Sequence, residues 1–68
     1  MDHYYVNKNA QSNGDHEVHK ENCDYLPNSS NRIYLGYYIN CSEALKKAKE
    51  YFIQVDGCYF CSPECNKS

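Results

Sequence analysis

Asp56-Gly57-Cys58-Tyr59-Phe60-Cys61-Ser62-Pro63, close to the C-terminus, decides how the rest of the chain is read. A Cys-x-x-Cys pair after a glycine and before a proline sets two sulfurs on one side of a tight turn. That is half of a tetrahedral metal site. Dithiol redox motifs share the spacing, but they open a helix that follows a strand in a βαβ pattern. Pro63 and the short polar stretch behind it leave no room for such a helix, so structural metal is the expectation.

A structural zinc site needs four ligands, commonly Cys₄, Cys₃His or Cys₂His₂. Working outward, the best source of the other two is His19-x₃-Cys23. The expected set is His19, Cys23, Cys58 and Cys61 around Zn²⁺, a closed site that would clamp the helix and the Leu35 strand between its halves. Cys65, four residues after Cys61, could displace His19, or else be a free thiol. Cys41 sits where a helix should start, either as a further ligand or as a small buried apolar residue under that helix. His3 and His16 are weaker alternatives. His16-Glu17-Val18-His19 is no zincin motif, because its histidines are three apart on a strand rather than four apart on a helix.

The need for such a staple follows from size. The 68 residues allow one small domain, and a chain of this length buries only about 60% of its unfolded surface. There is no Trp, two Phe and one Met, so the eight Tyr are expected to fill much of the core. Hydrophobic burial less about 1.5 kcal/mol per ordered residue comes out near zero for such a chain, whereas a structural zinc contributes on the order of 10–16 kcal/mol. Met1-Asp-His-Tyr-Tyr-Val lacks a basic segment and an apolar run, and no stretch is apolar enough to span a membrane. A cytoplasmic, reducing setting is therefore expected, and the odd count of five cysteines argues for metal over a closed disulfide framework.

In chain order, residues 3–7 are rich in β-formers, and Asn13-Gly14 marks a turn into a returning strand at His16–His19. Residues 20–31 read as a loop. Arg32–Gly36 is a strand with Ile33 and Leu35 on one face and Tyr34 on the other, continuing through Tyr37-Tyr38-Ile39 after a bend at Gly36. One helix is expected from Ser42 to Phe52, capped by Asn40 or Ser42, with Ala44, Leu45, Ala48, Tyr51 and Phe52 as its apolar stripe. Asp56-Gly57 reads as a turn. The expected fold is α+β: a short antiparallel sheet of about three strands plus one helix, with residues 66–68 a flexible tail of the single domain 1–68.

With these pieces in place, the chain resembles the small N-terminal zinc-binding domain of Ada-type DNA repair proteins. The matching stretches are His19/Cys23, Asn31-Arg-Ile-Tyr-Leu35, Ser42-Glu-Ala-Leu45 and Cys58-Tyr-Phe-Cys61-Ser-Pro63, covering about residues 17–63. The resemblance implies a zinc-stapled α+β fold. In Ada-type domains the first Cys of a Cys-x₃-Cys pair accepts a methyl group from a DNA phosphotriester; the matching position here is His19. A neutral imidazole cannot act as that acceptor, and three thiolates make a less negative centre than four.

The functional expectation is a non-catalytic zinc-binding mini-domain, a monomeric binding or adaptor module whose partner is unknown, either protein or nucleic acid. Methyl acceptance by Cys23, Cys58 or Cys61 is the enzymatic alternative, and single-stranded nucleic-acid binding through exposed Tyr a third. The formal charge of −2, made one unit more negative by three thiolates and one Zn²⁺, gives no general attraction to phosphate backbones. Lys46, Lys47 and Lys49 read as a solvated helix face.

Overall fold

Residues 1–67 are described by a computed structural model. Four strands and one helix follow in the order β1 (Asp2–Asn7), β2 (His16–Lys20), β3 (Arg32–Tyr38), α1 (Cys41–Ala48) and β4 (Val55–Gly57). The sheet order is β3-β1-β2-β4. β1 pairs antiparallel with both β2 and β3, while β2 and β4 run parallel.

Side-chain alternation gives the sheet two unlike faces. Tyr4, Val6, Val18 and Leu35 point to one face and are buried there with Cys41, Ala44 and Ala48 of α1. The opposite phase of the same strands carries His3, Tyr5, Glu17, His19, Tyr34 and Tyr37. The register sets Tyr5 opposite His19 on one side and Tyr34 on the other. The core lies between sheet and helix, and the ligand-bearing face is the one the helix does not cover.

The hairpin turn is as the sequence implies. Gly14 has φ +93°, the Gly14 amide donates to the Gln11 carbonyl at 2.8 Å, and the Asp15 amide donates to Asn13 Oδ1 at 2.9 Å. β3 runs through its bend. Pairing passes from Tyr4↔Gly36 to Tyr5↔Tyr34, so Leu35 is the extra residue of a bulge beside Gly36 at φ +137°.

Three expectations are corrected. The sheet has four strands and is mixed, because Val55–Gly57 adds to β2 instead of turning: the His16 amide donates to the Gln54 carbonyl at 3.0 Å and the Cys58 amide to the Val18 carbonyl at 2.9 Å. The Gly57 φ is not positive. Glycine is needed there for space, since a Cβ would lie 2.6 Å from Cys65 Cβ and 2.9 Å from the Ser62 carbonyl oxygen. The helix ends at Ala48, four residues before Phe52. Asn40 is its cap, accepting from the Glu43 amide at 3.1 Å, and at the other end the Ala48 carbonyl accepts from both Tyr51 and Phe52, closing the last turn tightly. Tyrosine is mostly not core. Tyr4 is buried, but Tyr25, Tyr34, Tyr37, Tyr51 and Tyr59 are exposed, because alternate strand positions and the turns after β2 and β4 face outward while Val and Ala fill the core.

In the C-terminal segment, Asn66 Nδ2 donates to the Asp56 carboxylate at 3.2 Å and to the Gly57 carbonyl at 3.0 Å, and the Lys67 amide donates to Asp56 at 2.8 Å. Ser68 lies outside the described residues. No helix among the described residues is long and apolar enough to cross a membrane.

Candidate metal centre

β2 delivers the first ligand. His19 stands on the uncovered face one residue before the strand ends, and the residue is only 1% exposed. The chain then turns, with the Cys23 amide donating to the Lys20 carbonyl at 3.1 Å, which swings Cys23 back over the sheet. The second pair comes from the segment after β4. There the Ser62 amide donates to the Cys58 carbonyl at 2.9 Å, closing the turn that sets Cys58 and Cys61 on one side. Parallel pairing of β4 with β2 carries this turn to the end of β2 where His19 lies. The fourth strand is what joins the two halves.

The ligand atoms of His19, Cys23, Cys58 and Cys61 all lie within 4.8 Å of one another. Cys23 Sγ is 3.6 Å from His19 Nδ1 and 3.8 Å from Cys58 Sγ. A tetrahedral ion with metal–sulfur bonds of about 2.3 Å and metal–nitrogen bonds of about 2.05 Å separates sulfur from nitrogen by about 3.6 Å and two sulfurs by about 3.8 Å. The four residues therefore fit a single ion.

Backbone amides point at all three sulfurs. The Tyr25 amide donates to Cys23 Sγ at 3.4 Å, the Lys20 amide to Cys61 Sγ at 3.3 Å, and the Phe60 and Cys61 amides point at Cys58 Sγ. Burial raises the Cys61 thiol, but hydrogen bonds from His19, the Lys20 amide, Cys23 and Ser62 outweigh it and bring it down to about 6. Burial pushes Cys23 up to about 12 against the Tyr25 amide, and burial raises Cys58 as well. Three thiols in so small a space share about one negative charge unless a cation joins them. His19 Nε2 faces the Glu17 carboxylate at 3.7 Å. That arrangement orients the ring with Nδ1 toward the sulfurs, as an outer carboxylate does for a metal-bound histidine.

Cys65 and Cys41 do not join the set. They are bonded to each other as a disulfide with Cα atoms 6.3 Å apart. The expectation of metal instead of disulfide is thus corrected to both: the odd cysteine count resolves into three thiols at the cluster and one bonded pair. The clamp across the helix is corrected too, because the four-ligand cluster lies on the face opposite α1. The disulfide takes over that task, tying the first residue of α1 to the segment behind Cys61. His3 and His16 lie elsewhere: His3 Nδ1 is 2.8 Å from the Tyr34 hydroxyl, and His16 stacks on Phe52 with ring centroids 3.7 Å apart. Neither Glu17 nor the disulfide was read from the sequence. The available signal for the latter was the pair of cysteines left over once three of the five are assigned to the cluster.

Compared with protein-family models, with curated proteins and with solved structures, the chain matches none of them. What fold and site together define is a class: a small α+β domain with a mixed four-stranded sheet, one helix, and a His/Cys cluster spaced to hold one metal ion.

Proposed function

We propose that this chain is a zinc-stabilised, non-catalytic binding module. Its centre is His19, Cys23, Cys58 and Cys61 around one Zn²⁺, an arrangement related in design to the Ada-type metal domains. One observation carries the reading: sulfur–nitrogen and sulfur–sulfur separations of 3.6 and 3.8 Å match those imposed by a tetrahedral N/S-coordinated zinc. A donor set of one imidazole and three thiolates selects zinc over the hard, oxygen-preferring cations. Catalytic zinc keeps three protein ligands and an open position for water; four protein ligands, two of them in buried residues, favour a structural role. With an imidazole at position 19, the thiol expected of an Ada-type methyl acceptor is replaced by a group without that chemistry.

Elemental analysis of purified protein is expected to give one zinc per chain, and chelation at constant pH is expected to lower the urea midpoint steeply. An unchanged midpoint after complete metal removal would overturn the reading. Cys58→Ala is expected to reproduce the chelated state.

A further inference from the structure

The turns that present the ligands also present three large aromatic side chains to solvent. Tyr25 follows Cys23 by two residues, and Tyr59 and Phe60 separate Cys58 from Cys61. They are 58%, 65% and 63% exposed. Tyr25 and Phe60 stack with centroids 4.3 Å apart at 23°, and Tyr59 meets Phe60 edge-on at 5.2 Å and 88°. An exposed aromatic cluster of this kind, in a chain with few apolar residues for its own core, marks an interaction surface.

Two grooves flank the Tyr25–Phe60 ridge. One, of about 370 Å³, is bordered by Asp24, Cys23 and Cys61; the other, of about 280 Å³, by Glu17, His19 and Cys58. Both are at or below the low end of the about 300–1,000 Å³ typical of small-molecule sites, so each suits one side chain better than a whole ligand. No Lys or Arg lines either groove, and each has a carboxylate. Members of the cluster border both grooves, and with three thiolates, a neutral imidazole and Zn²⁺ that cluster would carry one net negative charge. Lys46, Lys47 and Lys49 lie on or next to α1, on the other side of the sheet. Ring faces, carboxylates and an anionic neighbouring centre together favour a cation.

We propose that the Tyr25/Phe60/Tyr59 ridge and its two grooves bind the lysine or arginine side chains of a basic peptide segment. This deepens the zinc-module reading by naming its partner class, and it rests on that reading because the metal would fix the turns that carry the rings. Nucleic acid is the disfavoured occupant. Its bases could stack on the same rings, but its phosphates would meet Asp24, Glu17 and the anionic centre.

The test is a titration followed by nuclear magnetic resonance. Protein with measured zinc content is titrated at low ionic strength with an unstructured peptide of lysine and arginine spaced by glycine and serine. The same peptide with glutamine at every basic position, and oligothymidine, serve as comparisons. Saturable shifts at Tyr25, Tyr59 and Phe60 are expected with the basic peptide alone, weakening as salt is added. Tyr25→Ala and Phe60→Ala, each retaining one zinc per chain, are expected to bind about fivefold more weakly or worse, and Lys46→Gln to bind as the parent does. No shift, equal shifts with the glutamine peptide, or shifts of these rings with oligothymidine instead would overturn the proposal. Because zinc is measured on the same samples, zinc-loaded protein that ignores the peptide defeats this inference alone, whereas zinc-free protein defeats the metal reading.

Discussion

Within the cluster, Cys61 differs from its neighbours. Four hydrogen-bonding groups bring its thiol down to about 6 from the ordinary 9.0, while burial pushes Cys23 up to about 12. The sign of the pH dependence follows. A group held below its unfolded value stabilises the fold fully above pH 9.0 and loses that contribution as pH falls through about 6. The raised thiols act oppositely, costing stability when the pH climbs above 9.0 and the unfolded chain ionises first. Metal-free protein with its disulfide intact should therefore gain stability from pH 6 to about 9 and lose it beyond, as urea midpoints across this range would record. In brief iodoacetamide labelling at pH 7, read by peptide mass mapping, Cys61 is expected to react ahead of Cys23 and Cys58. Equal labelling would mean that its hydrogen bonds do not outlast the metal. None of this is legible in the sequence, where the three cysteines look alike: the Lys20 amide that singles out Cys61 is 41 residues away.

Among the elements, β4 matters beyond its three residues. It fills the edge position beside β2 and sets the register that brings the Cys58/Cys61 turn to His19. The sequence suggests a turn at Asp56-Gly57 because that dipeptide is turn chemistry wherever local preference decides. Here the parallel partner prevails, and the glycine is kept for the close approach of Cys65. Gly57→Ala places a methyl group 2.6 Å from Cys65 Cβ, an overpacked contact of the kind that costs about 1–3 kcal/mol. A lower urea midpoint, together with weaker zinc retention against a chelator, is the expected result. A fully tolerated alanine would show that the packing of β4 against Cys65 is looser than described. The helix was more legible. Of the two candidate caps, Asn40 is the one used, with the helix starting at Cys41, whereas its end is set by packing: Tyr51 and Phe52 continue the apolar spacing, yet the chain has already left the helix to reach β4.

For the whole molecule, a disulfide and a cluster able to hold one metal ion lie on opposite faces of one sheet, in a chain too short to build a large core. The His19/Cys23/Cys58/Cys61 cluster brings the end of β2 and the segment after β4 together on the uncovered face, where a bound ion would join them. The Cys41–Cys65 disulfide joins α1 to that same segment on the core side. A bridge across 24 residues is worth about 3–4 kcal/mol by the chain-entropy relation. The double variant Cys41→Ala/Cys65→Ala is expected to lose about that much in urea unfolding while still holding one zinc per chain. A variant that loses its zinc would place Cys41 or Cys65 among the ligands after all. The two staples should also be separable: chelation leaves the disulfide in place, and the double variant leaves the metal.

The sequence by itself determined what depends on near neighbours. The Cys58/Cys61 turn, the His19/Cys23 spacing, the Asn13-Gly14 hairpin, the capped start of the helix and the α+β class are fixed by local geometry and side-chain period, which a few adjacent residues specify. Only the tertiary structure decided the rest. The parallel fourth strand, the Cys41–Cys65 bond, and the stacking of Tyr25 on Phe60 across 35 residues all depend on sheet order and register. Distant segments settle those together by burying Val, Ala and Leu on one shared face, and no short stretch carries that information.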